Sequence, residues 1–292
     1  MLFKKTVLRA EGGNKILFFQ SSDTIPGGKR DFRYHRHTEF EIALIKSGSG
    51  IYTIRGKEYK FSEGDIFIIS SNELHCITRM NTDKTFHLMN IQFEPRFIWS
   101  ADNTWFDSDF LKIFFERNEI FENKLSSLNP ATKDIRQLLF EMEAEAKEHK
   151  EQSELVIKLL LIKLLVTIMR NYDYVKNSNI HFDFKEQSLQ SIEKSIIYIN
   201  ENLENNLTLD ELAKKANMNR TYFCTIFKKL NGISPWEYIT IKRIEKAVGY
   251  IKDTDFTMME IACMCGFNNT ANFNRAFKKV TGKVPGDYRN KV

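Results

Sequence analysis

Hydrophobic and polar positions divide the chain into two textures. From about Ile16 to Phe93, apolar residues alternate with polar ones in short runs broken by glycine, which is the period of half-buried strands. Five runs stand out: Phe40–Ile45, Gly50–Ile54, Lys57–Phe61, Ile66–Ile69 and Thr85–Phe93. Arg55-Gly56-Lys57 reads as a hairpin turn in which glycine supplies positive φ, and Ser62-Glu63-Gly64-Asp65 reads as a second turn. Short strands at this spacing predict a small antiparallel β-barrel, a jelly roll. From about Thr104 the period becomes helical. One helix is predicted near Ala131–Lys147, with Ile135, Leu138, Leu139 and Met142 as its apolar stripe. Another is predicted near Ser153–Tyr172, with Leu155, Leu159, Ile162, Val166 and Met169. The polar stretch Asp173–Lys185 reads as a linker, and Gln187–Leu203 as a helix opening the rest of the chain. The expected class is α+β: a sensing barrel over 1–130, a helical segment over 131–172, a linker over 173–186 and an all-α domain over 187–292.

The all-α part contains one pattern twice. The first copy starts at Thr208 (TLDELAKKANMNRTYFCTIFKKLNGISPWEY) and the second at Thr257 (TMMEIACMCGFNNTANFNRAFKKVTGKVPGDY). Thr208 with Glu211, and Thr257 with Glu260, have the spacing of capping boxes that open a helix. Leu209, Leu212 and Ala213, like Met258, Ile261 and Ala262, give each first helix an apolar face. A turn follows, Asn217-Met218-Asn219 or Gly266-Phe267-Asn268-Asn269. The second helix of each copy keeps phenylalanines four apart, Phe223/Phe227 and Phe273/Phe277, on one buried side. Paired lysines close these helices, and Gly232/Pro235 and Gly282/Pro285 end the units. A short buried helix, a tight turn and a polar second helix describe a helix-turn-helix unit suited to a DNA major groove. Four of the chain's five net positive charges fall in residues 186–292, where phosphate contacts are needed.

The segment Gly266–Arg289 resembles the signature of AraC/XylS-type bacterial transcription regulators. The resemblance covers about a hundred residues. It implies two helix-turn-helix units joined by a long helix, here Pro235 to about Ile251, with both recognition helices in successive major-groove segments. It also implies a homodimer, promoter DNA and RNA polymerase as partners, and most often activation of transcription. Cys265 departs mildly from the pattern, which has a small aliphatic residue before the Gly-Phe pair. Counted from Asn219, the outward residues of the first recognition helix are Arg220, Thr221, Cys224, Thr225 and Lys228. Counted from Asn269, those of the second are Thr270, Ala271, Asn274, Arg275 and Lys278.

With 292 residues and 24 phenylalanines the chain has room and core for two domains. Leu155–Met169, the greasiest stretch, is broken by Lys158 and Lys163 and is too short to span a membrane. Lys4-Lys5 is followed by no sustained apolar run, so no secretory signal is read. Cys76, Cys224, Cys263 and Cys265 fit neither a zinc ribbon nor a disulfide framework, which points to a reducing cytoplasm.

Chemistry in the first half concentrates on histidine. His35, His37 and Glu41 share strand parity, and His75 would come from a neighbouring strand. Three imidazoles and a carboxylate converging could hold a divalent metal. Gly28, His35, His37, Glu41 and Gly48 resemble the first cupin motif with one extra residue after Gly28. The second motif is degraded, with Ser70, Asn72 and Arg79 in place of the usual proline, glycine and asparagine. In regulators with such a string the histidines line an effector pocket or are structural. The expectation is therefore an effector site at His35, His37, Glu41, His75, Tyr34 and Tyr52, with no metal, no cofactor and no catalysis; Phe18 and Phe32 are further aromatic candidates. Arg36 and Glu39 are expected on the opposite strand face, outside the pocket. A sugar-like ligand suits polar groups at the mouth of a barrel. The alternatives are a metal-dependent cupin enzyme with an accessory DNA-binding tail, and a regulator that needs no effector. The outer stripe of the second long helix, with Lys158 and Lys163 at its edge, is the expected dimer seam.

Overall fold

Residues 3–11, 14–25, 33–81, 83, 85–99, 113–114, 121–172 and 186–289 are described by a computed structural model. Their alternating segments form β1 (Phe3–Glu11), β2 (Asn14–Thr24), β3 (Phe40–Ser47), β4 (Gly50–Ile54), β5 (Lys57–Phe61), β6 (Ile66–Ile69), β7 (His75–Met80), β8 (Phe86–Phe93) and β9 (Lys124–Leu125). All strand pairs are antiparallel, in a six-stranded sheet ordered β1-β2-β8-β3-β6-β9 and a three-stranded sheet ordered β5-β4-β7.

The expected barrel does not close. Among the described residues no strand ladder joins the two sheets. The reason lies in β3 and β6, which are apolar on both faces and so need cover on both. One face of the large sheet presents Ala43, Ile45, Phe67 and Leu88 to Tyr52, Ile54, Phe61 and Ile77 of the small sheet. The other presents Ile42, Leu44, Ile66, Ile68 and Met89 to the helices. The large sheet is therefore covered twice rather than curled on itself.

After the four-residue helix α1 (Arg96–Trp99), the two long helices lie close to expectation, as α2 (Pro130–Glu148) and α3 (Ser153–Asn171). Asn129 caps α2 by accepting from the Ala131 N–H, with Pro130 in the first turn. Ile135, Leu138, Leu139 and Met142 are buried as expected. On α3 the inward stripe is Ile157, Leu161, Leu164, Leu165 and Ile168, one face round from the one read in the sequence. Leu155 and Leu159 point to solvent, 53% and 59% exposed. The linker expected at 173–186 lies outside the described residues except for Glu186, which opens α4 (Glu186–Glu201).

The repeat folds as two helix pairs, α5 (Leu209–Lys215) with α6 (Arg220–Asn231), and α8 (Met258–Met264) with α9 (Thr270–Thr281). Between them runs α7 (Pro235–Asp253), and α10 (Pro285–Arg289) is the last element among the described residues. Thr257 and Glu260 make the full capping box. The first box is only half made: Thr208 accepts from the Glu211 N–H at 3.2 Å, but the Glu211 carboxylate accepts from the Tyr198 hydroxyl at 2.6 Å instead. A third box, Ser234 with Glu237, opens α7. Gly266 sits at φ 77°, and a Cβ there would fall 2.4 Å from the Leu203 carbonyl oxygen, so both backbone shape and close approach require glycine. Among the described residues no helix is long and apolar enough to cross a membrane.

Candidate functional site

Helices α6 and α9 are built alike. Asn219 and Asn269 cap them, accepting from the N–H groups of Tyr222 and Asn272. Phe223, Ile226 and Phe227 on one, and Phe273 and Phe277 on the other, are buried. Their opposite faces are polar and open. Arg220, Thr221, Thr225 and Lys228 are exposed and Cys224 is half-buried; Thr270, Ala271, Asn274, Arg275 and Lys278 are exposed. In the free protein both arginines are held locally. Arg220 pairs with Asp210 at 3.3 Å, and Arg275 donates to the Asn272 side-chain oxygen at 2.5 Å.

The histidines converge. Ring centroids lie 4.2 Å apart for His35 and His75, 5.0 Å for His37 and His75, and 5.8 Å for His35 and His37. The segment before β3 carries His35 and His37; His35 makes a single β-bridge to His75, the first residue of β7. His37 Nε2 is 3.2 Å from Glu41 Oε2, and the Gln92 amide donates to the same oxygen. Tyr52 donates its hydroxyl to Glu41 Oε1 at 3.4 Å. Burial would raise the Glu41 carboxyl, yet the His37 hydrogen bond and the imidazoles around it bring it down to about 2. Burial works to lower His37, but Glu41 and Glu39 outweigh it and leave it above its usual value. Burial holds His75 well below its usual value. The ligand-bearing atoms of the three histidines lie within 4.8 Å of one another. Tyr34 sits at the junction with the helical half, where a Cβ on Gly282 would come 3.2 Å from its own. Phe18 is buried; Gly28 and Phe32 lie outside the described residues.

Glu39 is not where strand alternation puts it. Residues 38 and 39 form a bend, so parity is lost before β3 begins, and Glu39 is buried with its carboxylate 3.8 Å from His37 Nδ1. Arg36 is half-buried and donates to the Asn72 backbone and side-chain oxygens. Glu39 reaches across to α7, where it accepts from Lys242 Nζ at 2.7 Å. Lys242 also lies 3.6 Å from Glu94 and 3.3 Å from Glu245, and Arg96 donates to Glu94 at 2.7 Å. This buried ionic knot joins the two halves beside the histidines, and sequence reasoning missed it. One signal was available: Lys242 follows Tyr238 by four on the buried face of α7.

Glu245 makes the knot pH-sensitive. Burial, with Glu39 nearby, raises its carboxyl to about 7, although Lys242 and His37 oppose this. A carboxyl raised on folding binds a proton that the unfolded chain has released. Stability therefore falls as pH rises from the usual carboxylate range through 7. Glu245→Gln should raise the melting temperature more at pH 8 than at pH 5. Equal shifts at both values would show that Glu245 does not titrate in the folded protein.

Comparisons with known proteins agree with this arrangement. Residues 27–165 match the AraC-like ligand binding domain and residues 212–291 a helix-turn-helix domain. The Tn10 TetD protein of Escherichia coli is 32% identical over 116 residues, which cover 39% of this chain and 84% of that protein. The lactose operon transcription activator of Staphylococcus xylosus is 22% identical over 263 residues, 88% of this chain and 86% of that one. The crystal structure of ToxT from Vibrio cholerae has a similar fold, with a TM-score of 0.54 at 15% identity over 94% of this chain and 98% of that one. With an AraC-like ligand-binding half and a helix-turn-helix half in one chain, this protein belongs to the AraC family of transcription regulators.

Proposed function

We propose that α5–α6 and α8–α9 are two helix-turn-helix units reading promoter DNA, that α3 dimerises the chain, and that a small molecule in the histidine pocket modulates DNA binding. The observation that carries the reading is the matched pair α6 and α9: each is asparagine-capped, each buries two phenylalanines, and each offers an open polar row. A recognition helix needs this combination, because its inner face must anchor it while its outer face reads base edges. Arg220, Thr221, Cys224, Thr225, Thr270, Ala271, Asn274 and Arg275 are assigned to the groove, and Lys228 and Lys278 to phosphates.

The effector residues are His35, His37, Glu41, His75 and Tyr52, with Tyr34 at the domain junction. The lactose operon activator is named for a sugar operon, which supports a carbohydrate or related metabolite as the effector and activation, with RNA polymerase as partner, as the outcome. The exposed Leu155 and Leu159 of α3 support a dimer seam, with Ile162 and Val166 beside them. Residues 1–130, 131–172, 173–186 and 187–292 then act as sensor, dimerisation segment, linker and DNA-binding domain of a cytoplasmic regulator with no catalytic role.

Arg275→Ala tests the DNA reading. A guanidinium bonds guanine O6 and N7 together, so its loss should cost about 1–3 kcal/mol on the specific site and relax preference at one base pair. Binding is measured on the protein's own upstream DNA and on random duplex at one salt concentration. An equal loss on both would make Arg275 a phosphate contact.

A further inference from the structure

A cleft of about 330 Å³ opens between the first half of α7 and the N-terminal end of α9. Trp236 and Thr240, one turn apart on α7, line one side. Asn268, just before the cap of α9, and Asn272, in its first turn, line the other. Asn206 joins them from the loop between α4 and α5. Arg243 lies deepest, buried, with its guanidinium fixed by the Leu203 carbonyl at 2.8 Å and the Asn205 carbonyl at 2.7 Å. No carboxylate lines the cleft. The fold itself does not account for this lining. Trp236 is 48% exposed. Among the described residues its indole N–H, and the side-chain amides of Asn206 and Asn268, have no hydrogen-bond partner. The repeat shows that a helical unit closes without the indole: Pro235-Trp236-Glu237-Tyr238 follows the first copy, and Pro285-Gly286-Asp287-Tyr288 the second. At Gly286 an added Cβ would meet open space, so that unit packs with no side chain at the matching position.

We propose that this cleft takes a DNA sugar–phosphate strand running between the two recognised major-groove segments. Trp236 lies against a deoxyribose and gives its N–H to a phosphate, which the amides of Asn206 and Asn268 also bind. Chemistry and position both support this occupant. Neutral donors above a fixed guanidinium suit an anionic acceptor, and most hydrogen bonds in protein–DNA interfaces go to the backbone from such groups. An aromatic face beside them suits the apolar side of a sugar. The cleft is continuous with the N-terminal end of α9, the end at which a recognition helix meets base edges. Its other wall opens the helix that follows α6 directly. Between two successive major-groove segments the duplex presents one minor groove, bordered by two such strands. A cleft set between α6 and α9 therefore meets backbone rather than base edges.

The contact rests on the reading of α6 and α9 as a recognition pair and deepens it. The test uses the full-length protein and its upstream DNA, with phosphates between the two groove segments replaced one at a time by uncharged methylphosphonates. Asn206→Asp is nearly isosteric and sets a carboxylate against the phosphate. On unmodified DNA it should lose affinity on the order of tenfold, by the same factor on upstream and random duplex. Trp236→Phe keeps a ring and lacks the N–H, and should weaken both duplexes alike by a smaller factor. One methylphosphonate should weaken the wild type yet strengthen Asn206→Asp, because it removes the charge that the new carboxylate repels. Asn81→Asp, between β7 and β8, adds the same charge elsewhere and should bind like the wild type. Circular dichroism and melting check the fold of each variant, and the methylphosphonate series on the wild type stands if one unfolds. Full affinity in both cleft variants, or methylphosphonates that act alike on Asn206→Asp and the wild type, overturns the contact. If Arg275→Ala then still relaxes base preference, the recognition pair survives and only the cleft lies off the DNA. Wild-type protein that binds no DNA overturns both.

Discussion

Lys242→Met should cost the protein on the order of 3–5 kcal/mol, because it leaves buried carboxylates without their cation. Lys242 is 5% exposed and stands among Glu39, Glu94 and Glu245. Its four-carbon stem is replaced by methionine with little change in packing, so the loss reads charge rather than volume. Arg96 still serves Glu94 after the substitution, and Glu245 can stay protonated. Among the described residues Glu39 has no other lysine or arginine within 4.0 Å, so it carries most of the penalty. Adding Glu39→Gln to Lys242→Met should therefore recover a large part of the loss, and the coupling follows from a double-mutant cycle. Denaturant unfolding is the measurement. Since the knot ties the two halves together, the single variant should also unfold them in two resolved steps. A loss below about 1 kcal/mol would mean that the contact is open enough to water to behave like a surface ion pair.

The second large effect is expected on assembly. Leu155→Glu with Leu159→Glu places two carboxylates on a face of α3 that is already open in the single chain, so the monomer fold should survive. A dimer packed through that face should not. On a promoter carrying two sites, losing the partner removes the gain from linked binding, on the order of a hundredfold or more. A single site should be bound as before. Sedimentation gives the mass and gel shifts give the two affinities. A dimer persisting in the double variant would move the interface off α3.

Local signals placed most elements. Asparagine caps, the Thr257–Glu260 box, phenylalanines four apart and the glycine at 266 are all settled within a few residues, and the structure keeps them. What failed was information carried by distant residues. The half-made box at Thr208 depends on Tyr198, whose hydroxyl takes the carboxylate that the box would use. The buried face of α3 was not singled out, because an almost wholly apolar helix, SELVIKLLLIKLLVTIM, offers stripes in several directions, and only the sheet and α2 decide which one turns inward; the stripe read as a seam is the one left outside. The open sandwich was misread as a barrel because strand spacing sets the number of strands and not how their edges meet. Convergence of His35, His37, Glu41 and His75 was legible from parity and motif. The role of Glu39 was not, because a bend at residues 38–39 erased the alternation and its partner lies 203 positions away.

Helix α7 does double duty. It separates the two helix pairs, and through Lys242 it is fastened to Glu39, whose backbone carbonyl also holds the His37 ring. Thermodynamic reciprocity follows from that double duty. If DNA favours one placement of α7 and a pocket ligand favours another, each must change the other's affinity by the same factor. The promoter is then itself an effector of the pocket. Titrating the ligand with operator present and absent should give two different dissociation constants, and their ratio should equal the shift the ligand causes in DNA affinity.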